Sequence, residues 1–310
     1  MRPGLVRVLL STYDSAAFLR PLLDSVLAQT YAPLELWVRD DGSRDATPEI
    51  LGEYADRFPG RMRVDAGVNV GMVRSYFTLL RDAGRDAEFT AFADHDDVWH
   101  ADKIERAVAM LRAHGGSGPL MYTGRLHIVD EALRHLGYSN VPARPMSFRN
   151  ALVENVAAGC TMVMNPAARD FVVETDDLAR IWWPDWWFYL LVSAFGTVLY
   201  DEHAAVEYRR HGANAVGSPS RWSPRWLRES WRQLREGRLD ARLVDQASTL
   251  RDRFGPRLPA GQHAILDAFL APPGSPVRRL WRALTCPVYR QRLVDGLFVR
   301  LLLLTRRAAS

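Results

Sequence analysis

A short apolar run followed by an amphipathic stretch recurs four times between Val6 and His114, and this alternation narrows the possible folds more than any other feature. Val6 to Leu10, Leu34 to Val38, Met62 to Val64 and Phe89 to Ala93 have the length and composition of buried strands. After the first, Phe18, Leu19, Leu22, Leu23, Val26 and Leu27 recur at helical spacing, with Pro21 tolerable only in a first turn. A second helix begins near Thr47, with Asp45 as its cap and Pro48 in its first turn. Met72 to Ala83 is amphipathic, and a fourth helix starts near Asp102. Strands and helices in this alternation predict an α/β fold: a Rossmann-like, mostly parallel sheet flanked by helices. Such sheets bind ligands beyond the carboxyl ends of their strands. Ser11 to Asp14, Asp40 to Ser43, Asn69 to Gly71 and Asp94 to Asp97 follow the four strands, so these polar groups converge on that edge.

The last of these groups carries the most chemistry. Asp94, Asp96 and Asp97 set three carboxylates in four positions. They repel one another unless a cation sits among them or water solvates them. An apolar strand and Trp99 bracket the cluster and draw it toward a core. Rich in oxygen and free of thiolates, it suits a hard divalent ion, Mg²⁺ or Mn²⁺. The competing reading is a solvated turn in which Asp102 caps the next helix. A second concentration runs from Trp182 to Tyr189, where Asp185 lies among tryptophans and desolvation raises its pKa. The faces of Trp186 and Trp187 suit either a sugar ring or a packed core. Around these, Leu120 to Val129 reads as one or two strands and Asp130 to Phe148 as an irregular lid or acceptor loop. Gly159 to Met164 reads as a buried strand, and Thr197 to Tyr200 and Ala205 to Arg209 as two short ones.

Charge divides the chain. Residues 1–220 hold 22 basic and 29 acidic side chains, whereas residues 221–310 hold 18 basic and 7 acidic ones. The acidic part suits a metal, and the basic part an anionic surface. Trp222, Trp226, Leu227, Trp231 and Leu234 share one face of an expected helix reaching Leu239, with arginines around the rest. Such a helix either lies on anionic lipid or docks on the body. It carries no nucleic-acid module, so no DNA or RNA partner is expected. The apolar segment Gly296 to Leu304 is shorter than the ~20 residues of a membrane span. Two cysteines and no leader before the first strand predict a cytoplasmic setting, peripheral at the inner face of the membrane. No G-x-x-x-x-G-K-S/T loop occurs and Lys103 is the sole lysine, which excludes a Walker-type nucleotidase. The first strand lacks the G-x-G-x-x-G of nicotinamide and flavin enzymes.

Several motifs recur in fixed order: Leu9-Leu10-Ser11-Thr12-Tyr13-Asp14, Arg39-Asp40-Asp41-Gly42-Ser43, Asn69-Val70-Gly71, Ala93-Asp94-His95-Asp96-Asp97-Val98-Trp99 with Lys103, Gly159-Cys160-Thr161, Asp185-Trp186-Trp187, and Tyr208-Arg209-Arg210-His211-Gly212. In this order and spacing they resemble the inverting family-two glycosyltransferases of the GT-A fold, especially the bacterial rhamnosyltransferase-like branch that builds surface polysaccharides. The resemblance implies a catalytic domain over 1–217, with a nucleotide half to about 100 and an acceptor half beyond it, and a basic helical extension over 218–310. It implies that Ser11, Thr12, Tyr13 and Asp41 hold the nucleoside and that Asn69, Gly71 and Arg74 lie near the base or diphosphate. Asp94-His95-Asp96 is similar to the family's D-x-D element, with Asp94 toward the donor and Asp96 on the metal. His211 becomes a further metal or diphosphate contact, Asp185 the catalytic base, and Trp186 and Trp187 acceptor contacts. The branch commonly has glutamine where His95 stands and histidine where Pro184 stands. The implied donor is a nucleoside diphosphate sugar, with dTDP-rhamnose as its expected form, and the implied acceptor is a saccharide or a lipid-linked one. The readings set against this are a non-catalytic sugar-nucleotide binder or membrane scaffold, and a sugar nucleotidyltransferase.

Overall fold

A computed structural model describes residues 2–212, 238–272 and 274–305. Strands β1 (Arg2–Thr12), β2 (Leu34–Asp40), β3 (Met62–Ala66) and β4 (Ala87–Ala93) run parallel in the order β3-β2-β1-β4. The crossovers are α1 (Ala16–Leu27), α2 (Thr47–Arg57) and α3 (Met72–Asp82). Both faces of the sheet are covered, which is why the central strand is apolar on both faces from Leu5 to Leu10 except at Arg7, whose buried guanidinium pairs with Glu35 at 2.8 Å and Asp86 at 2.6 Å. Val6, Val8 and Leu10 pack with Leu19, Leu22, Leu23 and Val26 on one face, whereas Leu9 packs with Phe77 and Leu80 on the other. The two-residue period of the strand sorts one run of sequence into two cores.

Beyond β4 the sheet is mixed. It continues through β8 (Val163–Met164), β6 (Leu120–Val129), β9 (Thr197–Arg209) and β5 (Val98–Trp99), and β7 (His135–Tyr138) pairs with β6. The remaining helices are α4 (Lys103–His114), α5 (Phe148–Ala151), α6 (Pro166–Val173), α7 (Pro184–Phe195), α8 (Arg238–Phe254), α9 (Ala260–Leu270), α10 (Pro276–Thr285) and α11 (Leu293–Thr305). Leu243, Ala247, Leu250 and Phe254 of α8 join the core formed by α3 and α7, and the Phe254 ring lies 6.0 Å from that of Phe195. The terminal helices thus share the body's core.

Four local expectations are corrected. The segment expected to be one strand at Gly159 to Met164 is a 3₁₀ turn over Gly159–Thr161 followed by the two-residue β8. Thr161 Oγ1 donates to the Ala158 carbonyl at 2.7 Å, a side-chain bond that competes with a strand ladder. The Asp130 to Phe148 segment is not wholly irregular: Asp130 Oδ1 accepts from the backbone of Ala132 and Arg134 at 3.0 and 2.9 Å, folding a turn that returns β7 onto β6. Thr197 to Arg209 is one strand whose register against β6 shifts between Gly124 and Leu126. Asp102 holds the N-cap position of α4 but makes no capping bond, and its carboxylate faces His203 at 3.5 Å. The expected helix from Trp222 to Leu239 lies outside the described residues, apart from the start of α8 at 238.

Gly196 closes α7 and lets β6 and β9 meet. A Cβ there would stand 1.8 Å from the Pro119 carbonyl oxygen, just where Thr197 N donates to that oxygen at 3.0 Å. Gly196→Ala is expected to lose about 1–3 kcal/mol of stability, read as a lower urea midpoint at unchanged m-value.

Candidate active site

β2 and β3 lie on one side of β1 and β4 on the other, so the crossovers part at β1 and leave a crevice beyond its carboxyl end. A cavity of about 990 Å³ occupies that crevice, at the upper end of the ~300–1,000 Å³ usual for ligand sites. Ser11, Thr12 and Tyr13 reach its wall from β1, Asp41 from β2, Asn69 and Gly71 from the turn before α3, and Asp94, His95 and Asp96 from β4. Asp185, in the first turn of α7, lines the same cavity. His211 is off the wall, but its Nε2 lies 2.8 Å from Asp96 Oδ2. Arg74 is exposed on α3 and does not line the cavity.

Trp186 and Trp187 do not reach the cavity either. Both are buried in the core, with Trp186 Nε1 donating to the Ala151 carbonyl at 2.7 Å and Trp187 Nε1 to Thr175 Oγ1 at 2.8 Å. Trp183 and Pro184 stand on the wall instead. Pro184 is the first residue of α7, so the residue before it lies outside the helix while the next turn packs inward. Reading Pro184 as a helix start would have singled out Trp183.

The side nearest β1 and β2 is held by its own hydrogen bonds. Asp41 Oδ2 accepts from Val70 N at 3.1 Å and Gly71 N at 2.9 Å, and its other oxygen pairs with Arg39. These charge-assisted bonds shape the turn before α3, where Gly71 has φ 84° and enters the left-handed region that favours glycine. Thr12 Oγ1 donates to Asp40 Oδ1 at 2.9 Å, and the Ser11 and Ser75 hydroxyls lie 2.6 Å apart.

The three carboxylates after β4 have different surroundings. Burial, with the charges of Asp96 and Asp185 behind it, pushes Asp94 up to about 7. The Tyr76 hydroxyl lies 3.2 Å from Asp94 Oδ1 and 2.7 Å from the Ala93 carbonyl. Asp96 meets His211, and its backbone carbonyl accepts from Arg209 Nε at 2.9 Å. Asp97 is fully buried and accepts from Arg209 N at 3.2 Å, tying the acidic loop to the end of β9. Beneath lies Lys103, its ammonium 3.4 Å from the centre of the Trp99 ring; burial pulls it down to about 7. Asp94, Asp97 and Cys160 bring potential ligand atoms within 4.8 Å of one another. Burial and the two nearby carboxylates push the Cys160 thiol well up. Asp96 and His211 supply carboxylate oxygen and imidazole nitrogen from side chains 2.8 Å apart. That donor set fits a divalent ion.

Burial pushes Asp185 up to about 6, against the opposing hydrogen bonds from Trp186 N, at 2.7 Å, and the Asn155 amide. Gly159 permits this placement, since a Cβ there would stand 3.3 Å from Asp185 Cβ. Tyr76, Asn155, Arg209, Gln291 and Arg292 all hold or line the site, and sequence reasoning gave none of them a role. Arg209 lay inside a recognised motif. Gln291 and Arg292 come from a segment far along the chain with no local signal.

Residues 7–164 match the family described as Glycosyl transferase family 2. A dTDP-rhamnosyl transferase, RfbG of Shigella flexneri, is 24% identical over 224 residues, covering 67% of this chain and 74% of that protein. A glycosyltransferase of Nostoc sp. is 23% identical over 67% of this chain and 66% of its own length. Among solved structures, S. aureus TarS 1-349 in complex with UDP superposes with a TM-score of 0.58 at 18% identity, covering 87% of this chain and 70% of that one. GalNAc-T7 with UDP, GalNAc and Mn²⁺ gives 0.55 at 14% identity, covering 85% and 56%. These likenesses establish the GT-A fold. With more than half of its length matched by the family and its strand-end residues gathered in one cavity, this chain belongs to glycosyl transferase family 2 and is a glycosyltransferase.

Proposed function

We propose that the enzyme transfers a sugar, with inversion, from a nucleoside diphosphate donor to a saccharide or lipid-linked acceptor. The observation that carries this reading is that Asp94, Asp96 and Asp185 line one cavity with Ser11, Thr12, Tyr13, Asp41, Asn69 and Gly71. The strand-end residues hold the nucleoside and diphosphate, and Asp185 stands where an acceptor hydroxyl enters. Its carboxylate takes the hydroxyl proton as the acceptor oxygen bonds to the anomeric carbon and the bond from that carbon to the diphosphate oxygen breaks. Attack opposite the leaving group inverts the configuration without a protein nucleophile. Asp96 and His211 would hold Mg²⁺ or Mn²⁺, which would supply Lewis-acid stabilisation of the charge growing on the diphosphate. L-rhamnose from dTDP-rhamnose is the donor we favour, supported by the RfbG relative. The experiment is a panel of nucleoside diphosphate sugars with metal and acceptor saccharides. Release of nucleoside diphosphate, greatest from the rhamnosyl donor, is expected; no release from any donor overturns the reading.

We further propose that the enzyme works at an anionic membrane surface. No helix among the described residues is long and apolar enough to cross a membrane. Val277, Leu280, Trp281 and Leu284 on α10 are 77%, 52%, 69% and 73% exposed, and Leu293, Val294 and Leu297 on α11 are exposed as well. Arg278 and Arg279 flank the α10 residues. Apolar side chains with a tryptophan and arginines favour the interface of anionic lipid. The segment between the two helices brings Gln291 and Arg292 to the cavity wall, so a membrane-held acceptor would arrive beside the donor. Trp281→Asp with Leu284→Asp is expected to abolish sedimentation with phosphatidylglycerol vesicles at low salt while sparing transfer to a short water-soluble acceptor. Unchanged sedimentation would place the contact elsewhere.

A further inference from the structure

Four of the eight histidines, His100, His127, His135 and His203, gather around β5, β6, β7 and β9. The register of β6 and β9 sets His127 opposite Glu207, and the pairing of β5 with β9 sets Val98 opposite the same glutamate. His100 follows two residues later. Side chains alternate along a strand, and Leu126, Ile128 and Tyr208 line the donor cavity, so His127 and Glu207 stand on the other face of the sheet. His100 Nε2 lies 3.6 Å from Glu207 Oε1 there. One ligand atom from each of His100, His127 and Glu207 lies within 4.8 Å of the other two. All three residues are half-buried, and His127 Nε2 is 2.8 Å from His135 Nδ1.

We propose that His100, His127 and Glu207 form a second metal site, selective for a borderline transition-metal ion such as Zn²⁺ and separate from the cation of the transfer reaction. Two imidazoles and a carboxylate make a common three-ligand zinc set. With metal–ligand distances of ~2.0–2.1 Å, two ligands of a tetrahedral ion stand roughly 3.4 Å apart. The His100–Glu207 separation therefore needs little change. His135, in contact with His127, orients that imidazole as an outer-sphere partner. A site with two nitrogens does not favour Mg²⁺, which takes oxygen ligands, so the two centres differ in selectivity. The His100, Asp102 and His203 group also brings ligand atoms within 4.8 Å, but His203 is exposed, whereas His127 and Glu207 belong to paired strands. The consequence is structural. β5 begins directly after Asp97 and β9 ends at Arg209, two residues before His211. An ion on the far face fastens together the two strands that carry the acidic loop and His211.

The test is calorimetric titration of Zn²⁺ into the chelator-treated full chain carrying Asp96→Ala, which removes the proposed cation position of the donor cavity. One bound Zn²⁺ per chain is expected. His127→Asn and Glu207→Gln, each added to that background, should weaken binding by roughly tenfold or more, in line with losses from disturbed metal sites. His203→Asn and His263→Asn should leave it unchanged. Co²⁺ in place of Zn²⁺ should give visible absorption bands that vanish in the His127 variant. The site is overturned if no Zn²⁺ binds, if His127→Asn and Glu207→Gln bind it as well as their parent, or if only His203→Asn loses it. No donor or acceptor enters the measurement, so the result is independent of the transfer reaction.

Discussion

Asp185→Asn is expected to bind donor within about twofold of wild type while kcat falls by ~10²–10⁴, the range supplied by a positioned general base. The amide keeps an oxygen to accept from Trp186 N, now at 2.7 Å to the carboxylate, so the start of α7 should hold its place. The same substitution should stabilise the protein at neutral pH. Burial raises the folded-state pKa of Asp185 from 3.8 to about 6. Between those values the folded state binds more protons than the unfolded state, so stability falls as pH rises through the window. Wild type thus carries the cost of a buried charge above pH 6, on the order of 1–3 kcal/mol, and the amide removes it. Urea unfolding should show the variant more stable at pH 7.5, with the difference shrinking at pH 5. In wild type, kcat should fall about tenfold per unit below pH 6 as the base becomes protonated. A variant with wild-type turnover would remove Asp185 from the chemistry.

The second large effect is expected at Asp96. Asp96→Ala should abolish Mn²⁺-dependent binding of nucleoside diphosphate, a loss of roughly 100-fold or more where a direct ligand disappears. The loop itself should stay placed. Arg209 Nε bonds the Asp96 backbone carbonyl, and Asp97 accepts from Arg209 N, and neither contact uses the deleted carboxylate. Removing one of three neighbouring acids relieves repulsion but also takes from His211 its 2.8 Å partner, so the stability of the metal-free variant should change by no more than about 1–2 kcal/mol. The two substitutions therefore separate: one spares donor binding and stops turnover, the other removes metal-dependent binding. Calorimetry with the diphosphate, with and without Mn²⁺, distinguishes them. If Asp96→Ala bound the diphosphate in a metal-dependent way with wild-type affinity, the cation would have to sit elsewhere.

Much of the site was legible because its parts are local. A strand that ends in polar residues announces a sheet edge, and the residues after β1, β2 and β4 line the cavity as the alternation predicts. Failures came where a side chain's direction decides its role. Trp186 and Trp187 share an aromatic run with Trp183, yet the helix that begins at Pro184 turns the first two inward. Arg74 is close in sequence to Gly71 but exposed on α3. Composition alone could separate neither case.

Sequence alone determined the half of the molecule in which pattern and partner are close together: the parallel strands, their crossovers and the convergence of their ends. Hydrophobic periodicity and turn chemistry act over a few residues, and crossover handedness leaves few ways to join such units. Only the tertiary structure decided what crosses the chain. Arg209 grips the acidic loop from the end of β9, Gln291 and Arg292 reach the cavity wall from far along the chain, and α8 completes a core begun by α3 and α7. Those contacts depend on how far the sheet curls and which faces meet. Packing settles that globally, and no short stretch of sequence encodes it.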